Sequence, residues 1–193
     1  EFKIKLSNIQ LDKNKISVST PIIDRDIYLN QKLFEGKLKL LFCSNIKKEK
    51  GVFLVVDSLK ELSKVTDNFE LNILGKGNDL NLLKKVVSES KLNKKINIRG
   101  YVNASEKLDF FKESNVFLLP TVHGEGFPMV ITEALASGNV IIATPSGGIF
   151  DYVKDGENGY LIKSNPPSSG EISEKIIKIN NDRDNMKKMS ISN

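Results

Sequence analysis

The sequence predicts an α/β fold, an open parallel sheet with helices on both faces. From Leu38 onward, short apolar runs alternate with amphipathic segments, the pattern of βα repeats. The runs are short, rich in β-branched and aromatic residues and bounded by turn residues, which suits strands buried on both faces. With 193 residues, the chain is long enough for one well-buried domain.

The elements follow in order. Leu38 to Ser44 reads as the first strand. Val52, Val55, Val56, Leu59, Leu62 and Val65 then recur at helical spacing. Phe69 to Leu74 is the second strand, and Leu80, Leu83, Val86 and Val87 line the next helix. Lys95 to Arg99 is the third strand. Asn103, with Glu106 three residues on, spells a capping box that opens a helix through Phe110 and Phe111. Asn115 to Pro120 is the fourth strand, stopped by proline. The next helix is expected from Pro128, at the first helical position, to Ser137, with Gly138 as its left-handed cap. Asn139 to Ala143 is the fifth strand, 155–159 a turn, Tyr160 to Ile162 a last strand and Ser168 to Asn180 a surface helix. Residues 1–37 contain Pro21 and a strand candidate, Lys15 to Ser19, but fall outside the repeat and read as a linker from a preceding domain. The division is therefore 1–37 linker, 38–180 main domain and 181–193 a truncated C-terminal helix region.

Composition narrows the function. One cysteine, Cys43, and no long apolar segment exclude a disulfide scaffold and a membrane-spanning helix, and point to a reducing, cytoplasmic setting. The chain opens with Glu1-Phe2 rather than methionine, so it is expected to be part of a longer protein. The net charge of +5 is spread over lysines such as Lys47, Lys48, Lys84, Lys85, Lys94 and Lys95, without the concentrated stripe that nucleic-acid binding needs. Weak attraction to anionic lipid stays compatible with it. His123 is the only histidine, so no multi-histidine metal site can be built, and it reads best as a structural or solvent-facing loop residue. Two D-x-D triplets, at 24–26 and 182–184, could bind a hard cation but lie far from the strand ends, and are set aside.

In such a sheet, ligands bind beyond the carboxyl ends of the strands. The segment 123–138, HGEGFPMVITEALASG, follows the fourth strand and sets Glu125 and Glu133 eight residues apart across a helix start. There the amides of Gly126, Phe127, Met129 and Val130 lack helical partners and carry roughly half a positive charge, a natural anion site. The two acids can lie up to roughly 17 Å apart, enough to hold both ends of an extended ligand with a phosphate in its middle. The plainer alternative is that Glu125 complements the dipole and Glu133 is surface. Lys50, just before the first helix, could neutralise a phosphate, or be one surface lysine among many. The Gly75-Lys76-Gly77 loop lacks the third glycine of a dinucleotide fingerprint, which disfavours an NAD site and leaves a tight turn. Pro145-Ser146-Gly147-Gly148 can bring backbone close to a ligand, or be a plain turn.

Together these loops resemble the C-terminal domain of retaining GT-B glycosyltransferases, a Rossmann-like half of a two-domain fold, over about 37–179. The E-x7-E motif, Glu125 to Glu133, is the most specific element. Lys50-Gly51, the GKG loop, Gly100-Tyr101-Val102, IIATPSGGIFDYV and DGENGYLI follow in family order. The resemblance implies a nucleotide-diphosphate sugar donor, with Glu133 on the ribose hydroxyls and Glu125 on the sugar. Gly126, Phe127, Pro128 and Met129 would face the sugar and diphosphate, with Gly75, Gly77, Gly147 and Gly148 lining the site. Tyr101 and Val102 would meet the base through their backbone. Lys50 would stabilise the leaving diphosphate. Many members carry arginine where Asn45 stands, and a neutral amide cannot replace a guanidinium fork, so Lys47 or Lys48 is the expected helper.

The implied reaction retains anomeric configuration, uses no metal or other cofactor, and transfers sugar to a saccharide or lipid-linked acceptor in bacterial-type polysaccharide biosynthesis. The acceptor would bind an N-terminal domain outside this chain, so the fragment alone should transfer nothing. The full-length protein would be cytoplasmic, with peripheral association at the inner membrane face left open. Three rivals are weighed. A glycoside hydrolase needs its carboxylates about 5 to 9.5 Å apart, a poorer match to the loop-plus-helix spacing. A sugar-nucleotide 2-epimerase shares the fold, and a non-catalytic partner subunit could keep the fold after losing the cation clamp.

Overall fold

The computed structural model describes residues 32–124, 126 and 128–193. The strand candidate at 15–19, Pro21, the 24–26 triplet, Glu125 and Phe127 lie outside the described residues. Six strands form one parallel sheet: β1 (Leu38–Cys43), β2 (Phe69–Leu74), β3 (Ile96–Gly100), β4 (Val116–Leu119), β5 (Val140–Ala143) and β6 (Gly159–Leu161). Their spatial order is β3-β2-β1-β4-β5-β6. Every residue of β4 and β5 is buried, which is why these strands read as unbroken apolar runs rather than alternating ones.

The connections are α1 (Val52–Val65), α2 (Leu80–Ser88), α3 (Ala104–Glu113), α4 (Met129–Ala136), the single turn α5 (Ile149–Tyr152), α6 (Ser169–Asn181) and α7 (Arg183–Ile191). The capping box of α3 forms as its sequence indicates. Asn103 Oδ1 accepts the Glu106 N–H at 3.0 Å, and Glu106 Oε2 accepts the Asn103 N–H at 3.0 Å. At its other end, the Lys32 ammonium donates to the carbonyls of Phe111 (3.0 Å), Lys112 (3.1 Å) and Ser114, and reaches Asn139 Oδ1 at 3.4 Å. A cation belongs at this negative end of the helix dipole. Burial first, and then the neighbouring Lys39 charge, push the Lys32 ammonium down to about 7.

Helix α4 closes with Gly138 at φ 66°, its N–H on Leu135 O (2.8 Å), while the Asn139 N–H reaches back to Ala134 O (2.9 Å), a Schellman closure. Its start differs by one residue from the sequence expectation. Pro128 is the N-cap, extended at φ −77°, ψ 105°, and Met129 is the first helical residue. Its ring nitrogen has no hydrogen to place, and its carbonyl already accepts the Ile131 N–H at 2.9 Å. Helix α6 is more than a surface helix: Ile172, Ile176 and Ile179 are buried, and it packs on α1. Asp182 of the second D-x-D triplet caps α7, its Oδ1 accepting the Asn185 N–H at 2.9 Å, a structural use of the acid.

Candidate functional site

The order of the sheet reverses between β1 and β4, where chain leaves toward opposite edges and opens a crevice at the carboxyl ends. The segments that end there are sewn together. The Glu49 carbonyl accepts the Val122 N–H (2.8 Å) and the Thr121 hydroxyl (3.3 Å), joining the turn after β1 to the loop after β4. Gly51, at φ 78°, lies so close to β4 that a Cβ would overlap the Pro120 carbonyl oxygen. On the other side, the Ile46 N–H donates to Lys76 O at 2.9 Å and the Lys48 N–H to Asp79 Oδ2 at 2.7 Å. A Cβ on Gly75 would overlap Ser44 O, and one on Gly77 would sit 2.6 Å from Asn45 Oδ1. Finally, the Ser146 hydroxyl donates to His123 O (2.9 Å) and the Gly148 N–H to Gly126 O (3.0 Å), tying in the loop after β5.

The loops singled out in the sequence therefore meet at one edge. Lys50 ends a 3-10 turn, Lys48–Lys50, immediately before Gly51 and α1. Asn45, Lys47 and Lys48 are exposed on the same turn. Tyr101, after β3, is 73% exposed, and the Lys76 ammonium stands 5.4 Å from its ring centroid, a cation–π contact. Val102 packs against the core. Gly126 and Met129 are exposed at the start of α4, which carries no side-chain cap. His123 is exposed, and its main chain knits the loop. Gly147 has φ 55° and Gly148 leads into α5.

Glu133 is 9% exposed, so it is not a solvated surface acid. Its Oε1 lies 2.6 Å from the ammonium of Lys107, in the second turn of α3. The Cys43 thiol, at the end of β1, is pushed up to about 11, by burial first, with Lys107 lowering and Glu133 raising it. The ion pair therefore stands beside the carboxyl end of β1, at the reversal. Sequence reasoning missed Lys107. One signal was legible: a lysine four residues after a cap sits near the positive end of its helix, where an acid is the usual choice. Among the described residues, no cluster of three or more His, Cys, Asp or Glu side chains could hold a metal ion.

A sheet that reverses at its centre, with an open helix start at the reversal, is the anatomy of doubly wound α/β domains that take anionic ligands. Residues 24–193 match the family described as glycosyl transferases group 1, and the chain belongs to that family. Among its relatives, an uncharacterised glycosyltransferase of Methanocaldococcus jannaschii is 33% identical over 147 residues, 76% of this chain and 37% of that protein. The lipopolysaccharide 1,2-N-acetylglucosaminetransferase of Salmonella typhimurium is 29% identical over 145 residues, 72% of this chain and 38% of that protein. The chain thus spans under half the length of these two relatives. In fold it is similar to the C-terminal domain of a group 1 family glycosyl transferase from Francisella tularensis (TM-score 0.77, 23% identity, covering 87% of this chain and 92% of that one). It is also similar to Anabaena HepE, solved with UDP (TM-score 0.81, 15% identity, 98% and 54%). These likenesses establish the Rossmann-like, GT-B type half-domain that the sequence resemblance implied.

Proposed function

We propose that the chain is the donor-binding half of a retaining glycosyltransferase that moves sugar from a nucleotide-diphosphate sugar to a saccharide or lipid-linked acceptor in polysaccharide biosynthesis. The observation that carries this reading is the meeting of the Lys50 turn, the open start of α4 and the nearly buried Glu133 at the sheet reversal. The diphosphate lies against the amides that open α4, whose dipole favours an anion. Glu133 accepts the ribose hydroxyls and Glu125 those of the sugar. Tyr101 and Val102 flank the base. Lys50, with Lys47 or Lys48 standing in for the arginine absent at Asn45, stabilises charge that develops on the leaving diphosphate. Residues 38–180 form the donor domain, and a preceding domain, linked through 1–37, supplies the acceptor surface. The relatives that act on lipopolysaccharide and capsular polysaccharide support the acceptor class. The +5 charge favours work in the cytoplasm against the anionic inner face of the membrane.

Calorimetric titration of the chain with uridine, guanosine and adenosine diphosphate sugars tests the reading. Saturable one-to-one binding of at least one is expected, with no added metal. Failure of all three to bind overturns it.

A further inference from the structure

Glu133 and Lys107 come from two different helices, α4 and α3, and meet with Nζ 2.6 Å from Oε1. Both side chains are mostly buried, the lysine 30% and the glutamate 11% exposed. An ammonium to carboxylate hydrogen bond of this length is strong and directional. A carboxylate offers about four acceptor sites, two on each oxygen. One ammonium uses one of them and fixes the plane of the group, so both oxygens keep capacity toward the crevice. A vicinal diol needs that arrangement, two acceptors of fixed separation for two neighbouring hydroxyls.

We infer that Lys107 is a positioning residue of the nucleotide site, holding the Glu133 carboxylate in the one orientation from which both oxygens accept the ribose 2′ and 3′ hydroxyls. The inference rests on the ribose role given to Glu133 above. It assigns Lys107 no contact with the nucleotide. The pair also compensates the Glu133 charge where little water reaches it, which a neutral partner cannot do.

The test compares, in the full-length protein, the affinity for a nucleoside diphosphate with that for its 2′,3′-dideoxy counterpart, using whichever of UDP, GDP and ADP binds. The unchanged protein should prefer the ribonucleotide by about tenfold or more, the weight of hydrogen bonds to a charged group. Glu133→Gln should bring the ratio close to one. Lys107→Met should lower it at least several-fold, and Lys107→Arg, which keeps charge and donors, should restore most of it. A purely structural pair would move the melting temperature and leave the ratio alone. If the unchanged protein does not discriminate, the ribose role of Glu133 fails, and the inference with it. If Glu133→Gln abolishes the preference but Lys107→Met keeps it in full, the Glu133 role stands and the Lys107 inference is overturned. Tighter ribonucleotide binding by Lys107→Met would also overturn it, because the lysine would then be a competitor for the diol. Should Lys107→Met fail to fold, Lys107→Gln is read instead, and an unchanged ratio there is equally decisive.

Discussion

Gly51 faces the carbonyl of Pro120 so closely that the turn bearing Lys50 and the end of β4 touch backbone to backbone. No side chain fits between them, and φ at Gly51 is 78°. Gly51→Ala should therefore destabilise the protein by about 1 to 3 kcal/mol from the left-handed conformation alone, with the overlap adding to it. Urea denaturation measures the loss. The same variant should weaken nucleotide binding, since the Lys50 turn must move away from β4. A variant of unchanged stability would mean that the two loops are not packed as described.

The two acids of the motif should separate by ligand. Glu133→Ala is expected to weaken nucleoside diphosphate binding by about 1 to 3 kcal/mol, the cost of lost hydrogen bonds to a charged group. Glu125→Ala should leave the nucleoside diphosphate alone and remove the extra affinity contributed by the sugar. Calorimetry with the nucleotide and the nucleotide sugar distinguishes them. Two variants indistinguishable from the unchanged protein on both ligands would end the assignment.

Acid stability should depend on Glu171. Its carboxylate accepts the N–H groups of Lys163 (2.7 Å) and Ser164 (2.8 Å) and lies 3.0 Å from the Lys175 ammonium. Burial raises its pKa, but these bonds outweigh burial and hold it at about 2, against an ordinary 4.5. A group depressed in the folded state contributes stability above its unfolded value and loses it as pH falls. The contribution of Glu171 is thus complete above about 4.5 and fades down to about 2. Glu171→Gln should cost about 1 to 3 kcal/mol at neutral pH and progressively less below pH 4.5. A penalty that does not shrink on acidification would contradict this.

Lys32 gives the opposite end of the pH range. Its folded value of about 7 lies below the unfolded 10.5, so between them the unfolded chain holds more proton. Stability from this group therefore rises with pH across that window and is lowest below it. Compared with Lys32→Met, the unchanged protein should gain stability from pH 7 to 10, read by chemical denaturation at each pH. Parallel curves for the two proteins would show that Lys32 does not titrate there.

Much of this was legible in the sequence because local chemistry decided it. Phe69 to Leu74 forms a strand with those bounds, and the Asn103 and Glu106 cap needs only its own backbone. Gly138 closes α4 for the same reason. The start of α4 was misplaced by one residue, since a proline suits either side of a helix boundary. The turn α5 was missed because four residues carry no periodicity. Lys107 could not be matched with Glu133 because the sequence holds many lysines, and only the crossing of α3 and α4 selects one. The acids at 182 and 184 showed a spacing, but not that the first would close a helix end.

The hydrogen bonds between successive loops have a thermodynamic corollary. Glu49 with Val122, Ile46 with Lys76, and Gly126 with Gly148 fix the rim before any guest arrives. Little chain entropy then remains to be surrendered on association, so recruitment should be rapid and accompanied by backbone shifts of about 1 Å or less.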